Sequence, residues 1–387
     1  MKHKLTTFLF CFFVTITSLI MTTSSSKAEV ARCDTIDGKI VIGSVDSTPV
    51  RFGTSGAYNK DSCSREPLYY KIVLHSAKLC TEDPYTAFNT VPDFSSCVAT
   101  LVDTQKEVEL QPGVEVPILD GDILIPAGSY KYAAVILSNH IGIKHYEQFV
   151  DADGDDIDLS GLGAGTAYTE GEYCFTVNKT TTYTGTDGSG SGGHGTSPHV
   201  ASDGTSRTYI ALNNSADPTK FAVKCKTGSI PTAADGYAYS YEIIDSLDKR
   251  GTEAGSAMCD DDSTCNSTFG TGDKFTQAQI LDDVGIDVKG SARFNLLQNN
   301  NALATNRANG KKIAYMMNLA TPIKITEQTA SFKMEFSTSA SVSVDFTFSQ
   351  GSNTGGDNVK LLKMGADPFH IKFYTKEKRR GRLRNWR

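Results

Sequence analysis

The feature that most constrains the fold is a strict alternation of apolar and polar residues, repeated in short segments along the chain. Every second residue is apolar in SFKMEF (331–336) and SVSVDFTFS (341–349), and FHIKFYT (369–375) repeats the pattern. Because successive side chains of a strand point to opposite faces, this period of two predicts strands with one buried face. The first two segments, joined by a short link, predict a hairpin.

Similar segments occur earlier in the chain, whereas helical periodicity is rare. The further candidate strands are KIVIGSV, LYYKIVLH, KYAAVILS, EYCFTVN, RTYIAL, KFAVKC and YAYSYEII. A helix is expected only over 274–285 (KFTQAQILDDVG), with a second candidate over 292–304. Many short strands separated by Gly, Asn, Asp and Ser predict an all-β fold. We expect one or two disulfide-stabilised antiparallel β-sandwich domains with long loops and at most a short helix.

The N-terminus has the layout of a secretory signal peptide. A basic segment (2–4) precedes an uncharged run over 5–21, and Ser26 and Ala28 supply the small residues of a cleavage site. We predict a leader over 1–28 and an exported chain, in the periplasm, at the cell surface or outside the cell. The alternative is a retained membrane anchor, which the Thr and Ser residues of the run disfavour. No later run is long enough to span a membrane, so no transmembrane helix is expected in the mature chain.

Cysteine usage agrees with export. One of the nine cysteines lies in the leader, and the remaining even number predicts disulfides in an exported protein. These are Cys33, Cys63, Cys80, Cys97, Cys174, Cys225, Cys259 and Cys265. The sequence cannot fix their connectivity, and we expect neighbours to pair as 33–63, 80–97, 174–225 and 259–265. Zinc binding is the rival interpretation, which the absence of a C-x-x-C spacing disfavours.

Charge is distributed unevenly along the chain. The net charge is −6, but the last twelve residues, 376–387 (KEKRRGRLRNWR), hold seven basic groups and one acid. Without this +6 tail and the three lysines of the leader, the body carries −15. An acidic body argues against nucleic acid as the main partner. The basic tail is either a solubilising end or an electrostatic tether to an acidic polymer or a neighbouring copy.

A low-complexity segment divides the mature chain. Residues 180–206 are rich in Gly, Ser and Thr, a composition that cannot form a packed core. We expect a β-sandwich domain over 29–179 and a Gly/Ser-rich loop or linker over 180–206. Residues 207–375 then form a second β-rich domain or continue the first, and the basic tail follows.

One stretch resembles a known family. DGDILIPAGSYKYAAVIL (120–137) places Pro126, Gly128 and Tyr130 in a P-x-G-x-Y arrangement. This is similar to the turn and strand of secreted prealbumin-like β-sandwich domains, in which a Pro-Gly turn leads into a Tyr-led edge strand. The resemblance implies a β-sandwich with a binding or structural role, and it carries no catalytic residue.

DADGDDID (151–158) concentrates five aspartates in eight residues. Calcium takes about six to eight oxygen ligands, and closely spaced carboxylates on a turning chain can supply them. Asp151, Asp153, Asp155 and Asp158 are therefore candidate calcium ligands, with Ca²⁺ the one cofactor that the sequence suggests. The spacing does not fit an EF-hand, which needs Gly at its sixth and Glu at its twelfth position. The alternative is a solvated acidic turn after the strand HYEQFV.

The motifs for catalysis are weak. GSGSG (188–192) has the G-x-S-x-G pattern of hydrolases, but it lies in the low-complexity segment rather than between a strand and a helix. His140 and His145 are five residues apart and face opposite sides of a regular strand. His75 is interpreted as a strand residue. We expect no catalytic residue and a non-enzymatic protein, with a secreted hydrolase as the least favoured alternative.

Tyrosines suit a surface that binds glycans or packs on neighbours. They cluster in PLYYK, SYKY and GYAYSYE, although tyrosine also favours half-buried strands whatever the partner. Two functions are therefore predicted. The first is an exported structural or adhesive β protein of a cell surface, rigidified by calcium and associating with itself or with other surface proteins. The second is a secreted module that binds glycans or another ligand.

Overall fold

The structure is a computed structural model. It describes residues 32–42, 58–84, 92–116, 118, 124–151, 153–162, 167–182, 199–208, 221–244, 290–302, 304, 310–349, 359–366 and 369–378. The predicted leader, the GSGSG motif, Cys259, Cys265 and the helix predicted over 274–285 lie outside these residues. Within them, no helix has the length and apolar character needed to cross a membrane.

The described chain is built almost entirely of strands, and the all-β prediction is confirmed. The strands are β1 Thr35–Ile36, β2 Lys39–Val41, β3 Tyr58–Arg65, β4 Tyr69–Cys80, β5 Ala99–Val102, β6 Lys106–Leu110, β7 Gly128–Ser138, β8 His140–Lys144, β9 Tyr146–Val150, β10 Asp156–Ile157, β11 Leu159–Gly161, β12 Thr169–Gly171, β13 Tyr173–Thr176, β14 Thr180–Thr182, β15 His199–Val200, β16 Ser206–Arg207, β17 Val223–Lys226, β18 Ser240–Ile243, β19 Gly290–Leu297, β20 Lys312–Ile325, β21 Thr329–Ser337, β22 Val342–Ser349, β23 Val359–Ala366 and β24 His370–Glu377. Two single-turn 3₁₀ helices, Phe94–Ser96 and Ala233–Asp235, are the helical elements of the described residues.

These strands form three large sheets and two ribbons. The nine-stranded sheet has the order β14-β18-β8-β4-β7-β20-β19, with β5 and β6 also paired to β4. A six-stranded sheet has the order β1-β2-β9-β13-β17 with β10 on β9, and a five-stranded sheet has the order β12-β11-β23-β22-β3. The ribbons are β15–β16 and β21–β24. Most pairs are antiparallel, and β2–β9, β11–β23 and β14–β18 are parallel.

Strands from both sides of the low-complexity segment 180–206 belong to the same sheets. β20 pairs with β7, β22 pairs with β3, and β17 pairs with β13. The two halves of the chain therefore share their backbone hydrogen bonds and their core.

Aromatic rings join the sheets across the core. Tyr70 of β4 lies edge-on to Phe369, with 5.7 Å between ring centroids, and Phe149 of β9 contacts Phe346 of β22 at 6.0 Å. All four rings are buried. Edge-to-face pairs add about 0.5–1.5 kcal/mol to the burial of their area. The first pair joins the nine-stranded sheet to the residue before β24, and the second joins the six-stranded sheet to the five-stranded sheet.

Strand β7 corrects the expectation of an edge strand after the Pro-Gly turn. It lies between β4 and β20, inside the nine-stranded sheet. Its residues 133–138 are buried on both faces, because the Cys80–Cys97 region covers the side opposite the main core. The apolar run AAVIL, with no polar alternation, is typical of such a strand. The Tyr130 hydroxyl donates to the Pro126 carbonyl at 2.7 Å and closes the turn that leads into β7.

The predicted hairpin between 331–336 and 341–349 is wrong, although both segments are strands. β21 pairs with β24, whereas β22 pairs with β23 and β3 in another sheet. The link between them holds the buried residues Thr338 and Ala340, and the chain crosses from one sheet to the other there. Phe332 stacks on Phe373 across the β21–β24 ribbon at 5.6 Å.

Two other predictions, the candidate helix and the start of the basic tail, differ from the structure. The candidate helix over 292–304 is wrong, because residues 290–297 form β19 against β20. The basic tail predicted over 376–387 begins later, because β24 continues to Glu377 and pairs there with Thr329. In both cases the cross-strand hydrogen bonds of a neighbouring strand decide the local conformation.

Three disulfides join neighbouring cysteines, in agreement with the pairing expected from the sequence. They are Cys33–Cys63, Cys80–Cys97 and Cys174–Cys225, with sequence separations of 30, 17 and 51 residues. Cys174 and Cys225 face each other directly across β13 and β17 and are buried. Each bridge limits the freedom of the unfolded chain, and the limit is greater for a longer loop.

We expect the bridge with the largest loop to stabilise the protein most. Replacing Cys174 and Cys225 with Ala should lower the free energy of unfolding by about 4 kcal/mol, against about 3 kcal/mol for the same change at Cys80 and Cys97. Urea unfolding of the two double variants measures the difference. The reverse order of stabilities would contradict this account.

Candidate functional site

An Asp-Gly turn forms one wall of the candidate site. β1 and β2 are joined by the two residues Asp37 and Gly38, whose φ angles are 52° and 84°. Two positive φ angles are required by a type I′ hairpin turn, and the Asp-Gly sequence supplies them at little steric cost. The turn places the Gly38 carbonyl where Nη2 of Arg65 donates to it at 3.0 Å.

Arg65 and Glu147 form an ion pair beside this turn. Arg65 is the last residue of β3, and Glu147 lies in β9. Nε of Arg65 donates to Oε1 of Glu147 at 2.7 Å, and Nη2 donates to Oε2 at 3.4 Å. The side chain of Glu147 is 5% exposed and that of Arg65 is 27% exposed. This two-point contact fixes the plane of the guanidinium group.

His145 completes the buried polar group. It lies where the chain leaves the nine-stranded sheet after β8 and enters the six-stranded sheet as β9. Its Nδ1 accepts a hydrogen bond from the Leu68 backbone N–H at 3.2 Å, so the ring proton is on Nε2. Nε2 lies 2.7 Å from Oε1 of Glu147 and donates to it. These two hydrogen bonds fix the ring of His145, which orients the carboxylate that holds Arg65.

These groups line a cleft of about 550 Å³. Its walls are the β1–β2 hairpin, the β3–β4 junction (64–68) and the β8–β9 junction (145–148). The charged lining residues are Arg32, Asp37, Lys39, Arg65, Glu66 and Glu147. Cys33 also lines the cleft, so its disulfide to Cys63 fastens the first wall to β3. The cleft has the size of a small-molecule site but a far more polar lining than most.

A row of tyrosines extends from the cleft, and we call it the tyrosine band. It consists of Tyr69, Tyr146, Tyr173, Tyr237, Tyr239 and Tyr241. Tyr146 belongs to both features, because it lines the cleft and its ring lies 6.2 Å from Tyr173 and 6.1 Å from Tyr237. Every tyrosine of the band is half-buried.

Cationic side chains lie over the band. Lys144 Nζ is 5.1 Å from the centroid of Tyr69 and 4.8 Å from that of Tyr237. Lys71 Nζ lies 4.5 Å from the centroid of Tyr239. These cation–π contacts fix the lysine stems against the rings. Lys71 also forms an ion pair with Glu107 at 2.9 Å, so a neighbouring carboxylate offsets its charge.

Strand register explains why these side chains meet. Tyr241, Gly142, Lys71 and Glu109 lie opposite one another on the adjacent strands β18, β8, β4 and β6. Gly142 makes the row possible: a Cβ there would lie 3.0 Å from the Tyr241 ring and 3.1 Å from Cβ of Lys71. The tyrosine rings occupy the space that a side chain at residue 142 would need.

The band contains phenols that stay protonated. Burial raises the pKa of Tyr237 well above its usual range. Burial also raises the pKa of Tyr239, and its hydrogen bond to Glu109 adds to the shift. These hydroxyls are therefore hydrogen-bond donors at any physiological pH.

The β15–β16 ribbon is attached to the outer face of the nine-stranded sheet at two points. Arg207 lies over the Tyr241 ring, with 3.3 Å from Cζ to the centroid. Ser202, in the turn of the ribbon, has its Oγ 2.6 Å from Nε2 of His75 in β4. Burial lowers the pKa of His75 to about 4, the nearby charge of Lys312 adds to this, and Asp203 opposes it. His75 is therefore neutral at pH 7.

The structure places three of the predicted calcium ligands, Asp151, Asp153 and Asp155, in the turn between β9 and β10, whereas Asp158 follows β10. Oδ1 of Asp151 accepts from the backbone N–H groups of Asp153 and Asp155 at 3.0 and 2.9 Å. Asp156 forms an ion pair with Lys39, on the wall of the cleft. No three His, Cys, Asp or Glu side chains are grouped as metal ligands in the described part of the chain. Calcium binding by Asp151, Asp153, Asp155 and Asp158 stays a prediction.

Sequence reasoning missed the cleft, and one feature could have indicated it. The Asp-Gly pair at 37–38 lies between alternating residues and is the strongest short hairpin pattern. Arg65 and Glu147 belong to no motif, and they meet where the end of β3 lies near the start of β9 in another sheet. The tyrosine clusters PLYYK and GYAYSYE were visible in the sequence, and the structure brings Tyr69 of the first beside Tyr237, Tyr239 and Tyr241 of the second, whereas Tyr70 lies in the core.

Comparison with known proteins gives no match: no family model fits the chain, and no curated protein or solved structure is significantly similar to it. The geometry of the cleft and the tyrosine band is therefore the basis for inferring function.

We expect His75 to make stability depend on pH. Its pKa is about 4 in the folded protein and near its ordinary value of 6.5 when unfolded, so the unfolded chain binds more protons between these values. The stabilisation is complete above pH 6.5 and is lost as the pH falls towards 4. Melting temperatures should fall more between pH 7 and pH 4.5 for the wild type than for His75→Gln. An equal fall in both proteins would contradict the role of His75.

Proposed function

We propose that this chain is an exported, non-enzymatic binding protein that holds a saccharide in its cleft and along its tyrosine band. The observation that carries the proposal is the continuity of the two features through Tyr146, which lies in both. A polar cleft that opens onto a row of aromatic rings offers one ligand both hydrogen bonds and stacking.

The chemistry of the lining favours a saccharide over an apolar ligand. A sugar hydroxyl both donates and accepts, and the cleft provides guanidinium and ammonium donors beside carboxylate acceptors. The C–H face of a sugar ring is apolar and packs on an aromatic ring whose edge is polar, as in tyrosine. An apolar ligand would leave the charged lining without hydrogen bonds.

Each part of the site has a distinct role in this proposal. Arg65, oriented by Glu147 and Gly38, donates to ligand oxygens from a fixed position. The ammonium group of Lys144 beside Tyr69 and Tyr237 gives this end of the band a positive charge, which favours a saccharide that carries carboxylate or sulfate groups. Because the strands and the Cys33–Cys63 disulfide hold these groups in place, little order has to be gained on binding.

Export and adhesion belong to the same proposal. The three disulfides suit an oxidising compartment outside the cytoplasm. A rigid β scaffold with a saccharide site on one face is suited to attaching a cell surface or a secreted protein to a glycan.

Replacing Tyr146 should weaken saccharide binding. A screen of immobilised neutral and acidic oligosaccharides identifies the ligand, and titration calorimetry then measures Kd. Tyr146→Ala removes the ring shared by the cleft and the band, and we expect Kd to rise about tenfold, or about 1.4 kcal/mol.

Two variants control for this result. Tyr146→Phe keeps the ring and should retain most of the affinity. Tyr374→Ala changes a tyrosine that is 46% exposed on β24, outside the cleft and the band, and should leave Kd unchanged. Failure of the wild type to bind any saccharide, or an unaltered Kd in Tyr146→Ala, would overturn the proposal.

A second candidate function is structural self-association, which the charge distribution favours. The body carries −15 and the predicted tail +6, so the tail of one copy is attracted to the body of another. The part of this tail that follows β24 begins at residue 378 and contains five arginines. Calcium bound to the aspartates at 151–158 would rigidify the assembling body.

Removing residues 379–387 should leave the fold intact and weaken association. Because salt screens exposed charges, the loss should be larger at low ionic strength than at 0.5 M salt. Light scattering gives the solution mass of both chains, and circular dichroism checks that their strand content is equal. Each measurement is made with millimolar calcium and with a chelator, and association that is stronger in calcium supports the calcium site. Equal masses before and after truncation would exclude the tail as the tether.

A further inference from the structure

A buried group of three charged side chains lies between the nine-stranded and five-stranded sheets, away from the cleft. Lys363 of β23 has its Nζ 2.6 Å from Oε1 of Glu242 in β18 and 3.5 Å from Oδ2 of Asp345 in β22. The side chains are 5%, 2% and 17% exposed, respectively. Burying such charges is costly, and a buried ion pair by itself adds little net stability.

The lysine and the aspartate of this group are direct cross-strand neighbours. Asp345 and Lys363 are opposite residues in the antiparallel pair β22–β23. Opposite side chains start about 4.5–5.5 Å apart at Cβ, and they leave the sheet on the same face. The register changes immediately after this pair, between Asp345 and Phe346. The two side chains are thus held close together where the ladder is irregular.

Glu242 belongs to the nine-stranded sheet, and a backbone N–H of the five-stranded sheet holds its carboxylate in position. Its Oε2 accepts a hydrogen bond from the Ala366 backbone N–H at 2.7 Å, while Oε1 faces the lysine. Gly365 leaves room for this contact, because a Cβ there would lie 2.3 Å from Oε2 of Glu242 and 2.7 Å from Nζ of Lys363. Any side chain at residue 365 would displace the carboxylate from the amine.

Asp345 also has a hydrogen-bond donor. The Ser343 hydroxyl, two residues earlier on β22, donates to Oδ1 of Asp345. The site therefore contains an amine, a carboxyl group 3.5 Å away, a second carboxylate on the amine and a donor on the carboxyl oxygen. These are the parts that an acyl-transfer reaction needs: nucleophile, electrophile, proton carrier and stabiliser of charge on oxygen.

We propose that Lys363 and Asp345 are joined by an isopeptide bond that forms within the folded protein, with Glu242 carrying the proton. Glu242 takes one proton from the Lys363 ammonium group, which leaves a neutral amine. The amine nitrogen attacks Cγ of Asp345, a C–N bond forms, and the bond from Cγ to one carboxylate oxygen breaks. That oxygen leaves as water, with one proton from Glu242 and one from the nitrogen. The ammonium and carboxylate become an amide and one water, with no oxidant or reductant.

The folded environment favours this condensation. Oriented groups about 3–3.5 Å apart react as if at very high concentration, which offsets the unfavourable equilibrium of amide formation in water. The low-dielectric surroundings favour the loss of two charges, because the amide product is neutral. The Ser343 hydroxyl stabilises the charge that develops on Oδ1 during the attack.

Mass spectrometry of the intact mature chain tests the bond. After denaturation and reduction and alkylation of the disulfides, the wild type should be lighter than its sequence by one water, about 18 Da. Fragmentation of a protease digest should give one branched peptide that joins β22 to β23 through Lys363 and Asp345. A wild type at its full sequence mass would overturn the proposal.

Variants separate the bond from other causes of the same loss. Lys363→Arg and Asp345→Ala should have their full sequence masses, and Glu242→Gln should react far more slowly or not at all. Asp345→Asn should still react, losing ammonia, about 17 Da, and give the same product mass as the wild type. Lys226→Arg is the matched control, because Lys226 pairs with Asp235 at 2.9 Å on a more exposed surface, and it should keep the loss of water. A succinimide at an Asp-Gly step also loses water, but it would persist in Lys363→Arg, and that result would overturn the assignment.

Discussion

The backbone hydrogen bonds of β4 hold the nine-stranded sheet together. This twelve-residue strand pairs with β5 and β6 on one side and with β7 and β8 on the other. Its inward residues, such as Tyr70 and Leu74, lie in the main core, and its outward residues Tyr69 and Lys71 belong to the tyrosine band. The alternation of one strand therefore supplies both core packing and part of the proposed binding surface. A shift of one residue in its register would exchange the two sets.

The sequence was sufficient to predict many of the strands, but it missed β19 and β20 and did not indicate which strands pair. The alternation in residues 331–336 and 341–349 identifies two strands correctly, because side-chain direction is a local property. Pairing depends on competition among all strands with an apolar face, and a four-residue link between two strands does not force a hairpin when its own residues are buried. The position of β7 could have been recognised from AAVIL, since a strand that is apolar on both faces has to be covered on both.

The site was less predictable than the fold, for a related reason. The tyrosine clusters were visible because each is local, but the cleft depends on Arg65 and Glu147, which are eighty-two residues apart. Either residue alone resembles any exposed charge. Lys363 and Asp345 are closer in sequence. Glu242, the residue proposed to carry the proton, lies in another sheet and more than one hundred residues away. Patterns in a single sequence record periodicity, whereas these groups are defined by register and by the contact of two sheets.

The insertion of β20 beside β7 has a consequence for how a chain of this design is assembled. If the chain is exported as proposed and emerges from a translocation channel with its N-terminus first, β7 appears long before its neighbour β20. An apolar strand with an unpaired edge would wait during that interval, which is the condition that promotes aggregation. The disulfides do not share this delay, because each joins consecutive cysteines and can close as soon as its second cysteine emerges. Oxidation can thus keep pace with secretion, whereas the central sheet closes only after the C-terminal part of the chain has arrived. A chaperone that covers the edge of β7 would therefore act in the interval before β20 arrives, when this apolar strand is most exposed.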